Sequence, residues 1–231
     1  MPSIKMPYKL IRSRRKSIAL LIGPDGLVTV RAPLGVSNDR INKFVEAKSD
    51  WISEHRTRAK VRRLSTARAY REGETFLYLG QELKLKISDG GIIQQDGKFL
   101  YLPDHAFPAA RERLRTWYVR MAEEYIPSRT GYFAKRMGVT PRKVRVNNAK
   151  RQWGSCSRPG DITFSWRLMM ATPEIIDYVV VHELSHLREH NHSAKYWRVV
   201  SNEYPNHILA RKWLATNHWR LDLPARSASA E

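Results

Sequence analysis

The sequence predicts an α+β fold, with a β-rich first half and a second half in which short strands precede helices. Apolar residues alternate over short runs between residues 17 and 102, and turns rich in Pro and Gly separate these runs. After residue 108, long stretches carry apolar residues at a spacing of three and four, which is typical of helices. The 231 residues are 42% hydrophobic, which is sufficient to bury a core in one large domain or two small ones.

Turn residues bracket the strands predicted in the first half. The Gly-Pro-Asp-Gly segment at 23–26 lies between runs at 17–21 and 27–31 and predicts a hairpin. A helix is expected from about Asn38, because apolar residues as far as Ile52 recur every three or four positions. Further strands are expected at 76–79, 83–87 and 99–102.

A long helix is expected to open the second half, over 108–137, with Pro127 kinking or splitting it. Strands at 143–148 and 161–170 are followed by Thr172-Pro173-Glu174, a hydroxyl cap, a first-turn proline and an acid that together begin a helix. Helices at about 193–203 and 206–218 complete the chain. This order predicts a basic β-rich region with one helix at 1–106, a second domain at 107–225 and a disordered tail at 226–231.

The chain is strongly basic. It carries 41 Lys and Arg against 22 Asp and Glu, a net charge of +19, and residues 1–72 alone hold 17 basic and 6 acidic side chains. One cluster is Arg12-Ser13-Arg14-Arg15-Lys16. Such a surface attracts nucleic acid or nucleotide phosphates, or it is simply a solvated face that keeps the protein soluble.

Apolar runs and cysteine usage limit where the protein works. No stretch approaches the about 20 apolar residues of a membrane span, or the about 7–15 of a secretory signal. Cys156 is the single cysteine, so the chain forms no internal disulfide. We therefore expect a cytoplasmic protein that does not associate with membranes.

The strongest chemical signal is His182-Glu183-Leu184-Ser185-His186, within the helix that begins after Thr172. Residues four apart lie on the same face of a helix, so both imidazoles can bind one metal ion. Glu183 follows the first histidine and can reach the water that such a metal activates. A catalytic zinc usually takes three protein ligands, so a third is required.

The third ligand has several candidates downstream of the motif: His190, His192, Glu203 and His207. His190 would lie about 12 Å along the helix axis from His182, too far for one ion unless the helix stops. His192 would face the wrong way on a continuous helix. It becomes the favoured ligand if the chain turns back, and Asn191, which tolerates left-handed φ, is placed for that turn.

Four segments around the motif carry a resemblance to a known family: 152–157 (Gln152-Trp153-Gly154-Ser155-Cys156-Ser157), 161–168, 178–187, and Asn191-His192-Ser193 with Tyr196-Trp197. With these segments the chain resembles the YgjP-like metallopeptidase-domain family of predicted metal-dependent hydrolases. The similarity is specific over 143–219 and looser before it. The family usually has Arg before the tryptophan, where this chain has Gln152, with Arg151 one step earlier.

The resemblance implies a zincin-like core, in which helices pack on a small sheet. It implies Zn²⁺ as the cofactor, His182, His186 and His192 as metal ligands, and Glu183 as the catalytic acid and base. It also implies kinship with the SprT-like proteases that act near DNA. Some family members are described as nucleoside-triphosphate pyrophosphatases.

We expect a zinc-dependent hydrolase, foremost a metallopeptidase that acts on a peptide or protein substrate. One alternative is a metal-dependent nucleoside-triphosphate pyrophosphatase, which the basic surface suits although the sequence has no glycine-rich phosphate loop. Another is a basic nucleic-acid-associated protein with a structural metal, although structural zinc is normally four-coordinate with cysteines. Four side chains are candidates for stabilising the oxyanion: Tyr178, Arg188, His190 and Tyr196.

The segment from Trp153 to Ser157 has two interpretations. It is either a strand edge beside the metal, where small Gly154 and Ser155 let an extended substrate approach, or a tight turn packed by Trp153. Cys156 is either a nucleophile whose thiol pKa is lowered by basic neighbours, or a small buried apolar residue.

Overall fold

The computed structural model describes residues 7–23, 27–53, 56 and 70–224. Its contacts divide the chain into two units, 1–67 and 68–231. In the described part of the chain, no helix combines the length and the apolar character needed to cross a membrane. The predicted tail at 226–231 and the centre of the predicted hairpin turn lie outside the described residues.

The N-terminal unit is a three-stranded sheet with a helix. Its elements are β1 (Lys9–Ser13), β2 (Ala19–Ile22), β3 (Val28–Pro33) and α1 (Asn38–Glu46). The predicted hairpin pairs β2 with β3 antiparallel, and β1, which sequence patterning missed, adds to the other side of β3 in parallel. Alternate residues of β3, one face of α1 and Ile52, which follows α1 in the chain, form a small core: Val28, Val30, Ala32, Ile41, Val45 and Ile52.

Arg12 is a structural residue of this unit rather than a member of a free basic cluster. Its guanidinium donates hydrogen bonds to the carbonyl oxygens of Pro33, Leu34 and Val36 at 3.2, 3.1 and 2.6 Å. It also donates to Asn38 Oδ1 at 2.7 Å, at the start of α1. Arg12 thus joins the end of β1 to the connection between β3 and α1.

We expect Arg12→Ala to destabilise the N-terminal unit by about 2 kcal/mol, because hydrogen bonds from a charged group to several carbonyls are lost together. Arg14→Ala is the matched control, since Arg14 lies in the same basic cluster and is exposed. Its effect should stay within about 0.5 kcal/mol. Hydrogen exchange of the β3 amides measures the stability of this unit in both variants. Equal exchange in the two variants would contradict the structural role of Arg12.

The second unit contains two small sheets. The first comprises β4 (Thr75–Tyr78), β5 (Gln81–Ser88), β6 (Gln94–Gln95) and β7 (Phe99–Pro103), in the order β4-β5-β7-β6. The second comprises β8 (Lys143–Asn147), β9 (Gly154–Cys156) and β10 (Asp161–Ser165), in the order β8-β10-β9. β10 pairs with β8 in parallel and with β9 antiparallel, so β9 lies at the edge of this sheet.

Helices make up the remainder of the second unit: α2 (Ala110–Met137), α3 (Pro173–Ser185), α4 (Ala194–Glu203) and α5 (His207–Asn217). α2 runs through Pro127 without being split, because its buried face, which includes Trp117, Ile126 and Phe133, compensates for the hydrogen bond that proline removes. Gly138 ends it with a left-handed φ of 61°. Residues 166–170, expected to continue a strand, form a buried 3₁₀ helix instead.

The sheet of β4–β7 shares its core with the later helices. Leu83, Leu85 and Leu100 are fully buried in the same cluster as Leu114 of α2 and Val180 of α3. The sequence predicts an N-terminal region at 1–106, whereas the contacts place the division between 67 and 68. The reason is that these strands bury their apolar face against the long helix, a pairing that local patterning does not reveal. The observed fold is α+β, with small sheets and packed helices.

Candidate metal centre and substrate cleft

Helix α3 positions the first residues of the site. Thr172 occupies the N-cap position and Pro173 the first turn, as expected, although the threonine hydroxyl does not make the cap hydrogen bond. The helix buries most of its length and ends at Ser185, so that His182 and Glu183 lie in its last turn and His186 is its C-cap.

The chain reverses after α3 in a way that differs from the expectation. The amides of Leu187 and Arg188 bond to carbonyls three residues earlier, at 3.0 and 3.1 Å, so the last turn tightens. Among the described residues, the non-glycine positions with positive φ are Tyr70 and Leu79, so a left-handed Asn191 is wrong. The helix has already ended at Ser185, and the turn therefore begins well before Asn191.

This reversal brings three histidines together. The metal-binding atoms of His182, His186 and His192 all lie within 4.8 Å of one another. Nε2 of His192 is 3.3 Å from Nε2 of His182. Two nitrogens bound at about 2.0–2.1 Å to a tetrahedral zinc would lie about 3.3 Å apart, so this pair fits the ion. His182 Nδ1 is buried and has no hydrogen-bond partner among the described residues, which leaves Nε2 as its outward-facing nitrogen.

Neighbouring groups hold these rings in place. His186 Nδ1 lies 3.3 Å from the Glu189 carbonyl oxygen; donation of Nδ1–H to that oxygen leaves Nε2 free for a metal. The Tyr196 ring contacts all three imidazoles, with centroid distances of 5.4, 4.6 and 4.7 Å. Its hydroxyl donates to the His182 carbonyl at 2.9 Å and so ties α4 to the end of α3.

Burial sets the protonation of the site. It lowers the pKa of His182 to about 3, with the nearby His186, His192 and Arg211 adding to the effect. The pKa of His186 is also lowered, mainly by burial. Both rings are therefore neutral at physiological pH, which is the form that binds metal. Burial alone raises the pKa of Glu183 to about 8.

The other third-ligand candidates lie elsewhere. His190 is exposed in the loop after α3 and is not part of the cluster. The Glu203 carboxylate lies 2.7 Å from the Arg136 guanidinium of α2. His207 stacks on Trp197, with ring centroids 5.7 Å apart.

Gly154 of β9 lies directly against Glu183. A Cβ built at this position would be 2.5 Å from Glu183 Cγ and 2.6 Å from Oε1. Such distances are far shorter than van der Waals contact, so only glycine leaves the carboxylate its place. Within the segment at 153–157, Gly154–Cys156 form the edge strand β9 rather than a tight turn, and Gly154 makes room for the glutamate.

A cleft of about 240 Å³ opens beside His182 and Glu183. It is lined by residues 151–154, by Tyr178 and Val179 of α3, and by Arg211 and Leu214 of α5. Sequence reasoning missed Arg211, because no motif distinguishes it from the many other basic residues. Only the packing of α5 against α3 reveals its position.

The sequence model of the YgjP-like metallopeptidase domain matches residues 16–217. The chain belongs to this family. No curated protein matches the chain. Among solved structures, it is similar to the metallopeptidase zymogen abylysin of Pyrococcus abyssi, with 23% identity over 40% of this chain and 93% of that one and a TM-score of 0.37. The family membership supports a metal-dependent hydrolase of the peptidase type, and the cluster of three histidines in this YgjP-like domain is compatible with its metal.

Gly154→Ala in this YgjP-like domain is expected to lower hydrolytic activity by about 100-fold, because the methyl group displaces the Glu183 carboxylate by an ångström or more. Zinc content should stay unchanged, since the three atoms nearest to the added methyl group all belong to Glu183. Ser155→Ala, on the same strand, is the control and should retain activity.

A double variant tests whether Gly154→Ala acts through Glu183. Combined with Glu183→Gln, Gly154→Ala should cost little more than Glu183→Gln alone, because contacting residues are not additive. Fully additive losses in kcat/KM would contradict this coupling.

Cys156 is expected to react slowly as a nucleophile. Burial, followed by the charges of Glu183 and Asp161, raises the pKa of its thiol to about 11, the opposite of the activation considered from sequence. At pH 7.5 roughly 0.03% is thiolate, against about 10% for a free cysteine. Iodoacetamide labelling should therefore keep accelerating up to pH 10, and Cys156→Ser should remain active. A labelling rate that reaches a plateau below pH 8 would contradict the raised pKa.

Proposed function

We propose that this protein is a zinc-dependent peptidase in which His182, His186 and His192 hold the metal and Glu183 moves the proton. The observation that supports it best is the convergence of the three imidazoles next to a buried carboxyl group and an open cleft. The donor set, three imidazoles with no fourth protein ligand among the described residues, suits a catalytic rather than a structural zinc. Zinc, when bound, polarises a carbonyl group and lowers the pKa of water towards about 7.

The chain's own residues account for the proton transfers. A Glu183 carboxylate oxygen takes the proton from the attacking water and later returns it to the leaving amine. Glu183 is 5% exposed, so little bulk water competes for this proton. Gly154 and the end of α3 hold its side chain between the edge strand and the first histidine.

The edge strand β9 suits an extended peptide. One of its edges pairs with β10, and its position at the end of the sheet leaves the other edge for a substrate strand. Main-chain hydrogen bonds to β9 would place a peptide bond alongside Glu183. This geometry favours a peptide over the nucleoside triphosphate of the alternative hypothesis.

Tyr178 is the oxyanion donor that the geometry favours among the four candidates. Arg188 donates to the Met137 carbonyl and Tyr196 to the His182 carbonyl, so both are engaged elsewhere. His190 does not line the cleft, whereas Tyr178 does. Burial raises the pKa of Tyr178, so its hydroxyl keeps the proton that it would donate.

A substrate screen tests the proposal. Zinc-loaded protein is incubated with casein, a peptide mixture and nucleoside triphosphates, and new peptide N-termini and released phosphate are measured. We expect peptide cleavage that a chelator abolishes and added zinc restores. Release of pyrophosphate without any peptide cleavage would replace this proposal with the alternative.

A further inference from the structure

Two arginines line the cleft beside the candidate metal centre. Arg151 belongs to the segment before β9, and Arg211 belongs to α5. Arg211 lies over the Trp197 ring, with its guanidinium carbon 5.3 Å from the ring centroid, so an aromatic contact orients it. Arg211 lines the same cleft as His182 and Glu183.

Neither arginine forms an ion pair within the part of the chain that the structure describes. Nearby acids are occupied: Asp177 pairs with Arg129 at 2.7 Å, and Glu203 lies 2.7 Å from Arg136. The one acidic residue lining the cleft is Glu183. The lining therefore carries two guanidinium groups against a single carboxyl group, so its charge favours an anion.

The lining of the cleft combines charge with apolar surface. Its volume is about 240 Å³, and it is open to solvent. Trp153, Val179 and Leu214 supply apolar surface to the same lining as the two arginines. This lining suits an amino-acid side chain or a chain terminus with an apolar stem and an anionic end.

We propose, on the basis of the proposed peptidase function, that this cleft binds a carboxylate next to the scissile peptide bond and thereby selects acidic peptides. Arg151 and Arg211 are the residues that determine this specificity. The carboxylate is either an Asp or Glu side chain or the free C-terminus of the substrate, and both present the same planar anion. A guanidinium donates two parallel hydrogen bonds to such a group.

A carboxylate fits better than a nucleotide phosphate. Phosphate chains are usually held by glycine-rich backbone, and residues 151–154, Arg-Gln-Trp-Gly, form no such loop.

Matched peptides test the specificity. One set places Asp or its isostere Asn on either side of the scissile bond, and a second set ends in a free or an amidated C-terminus. We expect the zinc-loaded full chain to cleave the carboxylate member of one set about 10–100-fold faster in kcat/KM. Faster cleavage of the Asp peptide in the first set identifies a side-chain carboxylate as the bound group. Faster cleavage of the free peptide in the second set identifies the C-terminal carboxylate. Equal rates throughout would overturn the proposal.

Charge-matched variants assign the preference to the two arginines. The preference for the carboxylate peptide should fall in Arg151→Gln and in Arg211→Gln. It should stay unchanged in Lys150→Gln and in Lys212→Gln. The two lysines are exposed immediate neighbours that do not line the cleft, so each control removes the same charge. A preference that persists in both arginine variants would overturn the assignment.

A binding measurement is independent of turnover. Saturation-transfer NMR compares N-acetylaspartate amide with N-acetylasparagine amide, and N-acetylleucine with its amide, on the wild type and the arginine variants. We expect a carboxylate to bind more tightly and to lose this advantage in the variants. Carboxylate binding to the metal itself would persist in the variants and would count against the proposal. If no peptide is cleaved, the proposed function fails, and this comparison still decides whether the cleft binds carboxylates.

Discussion

His192→Ala is expected to abolish tight zinc binding and, with it, hydrolytic activity. The wild type should hold one zinc ion per chain after dialysis, because His182, His186 and His192 converge within 4.8 Å. Removing one of three ligands should weaken binding by more than the about 10–100-fold typical of residues outside the coordination shell. Elemental analysis after dialysis against a chelator of known affinity measures the effect directly.

His190→Ala is the matched control for this experiment. It removes the same side chain from the same loop, but His190 is exposed and lies outside the histidine cluster, so zinc should be retained. Glu203→Ala should also retain zinc, since Glu203 lies against Arg136. If His192→Ala kept stoichiometric zinc while either control lost it, the third ligand would have to be reassigned.

Glu183→Gln is expected to lower activity by about 10²–10⁴-fold while the protein stays folded and zinc-loaded. Glutamine has nearly the shape of glutamate, so the contact with Gly154 is kept, but an amide cannot take a proton from water. The loss should fall on kcat rather than on KM, because the proton moves in the transition state. Steady-state kinetics together with zinc content on the same sample separate chemistry from metal loss.

Glu189→Gln controls for the loss of a carboxylate near the site. Glu189 contributes its backbone carbonyl to His186, and this group is unchanged by the substitution. The activity of the Glu189→Gln variant should remain close to that of the wild type. Full activity of zinc-loaded Glu183→Gln would remove Glu183 from the mechanism.

The histidine pair and the adjacent glutamate could be predicted from sequence because they depend on local geometry. Residues four apart share a helix face in any α-helix, and Thr172-Pro173 marks where this helix begins. His192 was predicted from the need for a third ligand, and the structure brings it to the pair. The expected left-handed Asn191 was wrong, because the reversal depends on how the last turn of α3 tightens.

The edge position of β9 and the contact between Gly154 and Glu183 could not be predicted from sequence. The two residues are far apart in the chain, and their contact depends on how β9 packs against α3. The same holds for the sheet of β4–β7, which buries its leucines against a helix that begins at Ala110 and so belongs to the second unit. Patterning reveals which face of an element is apolar, but not which partner covers it.

The sequence by itself therefore determined the fold class, most of the elements and the motif of the candidate metal centre, because periodicity and capping act within a few residues. Only the tertiary structure decided that Arg12 supports the N-terminal unit, that Gly154 makes room for Glu183, and that Arg151 and Arg211 line the same cleft. A basic side chain looks the same in the sequence whether it faces solvent, carbonyl groups or a substrate. Its role depends on the neighbours that folding brings from distant parts of the chain.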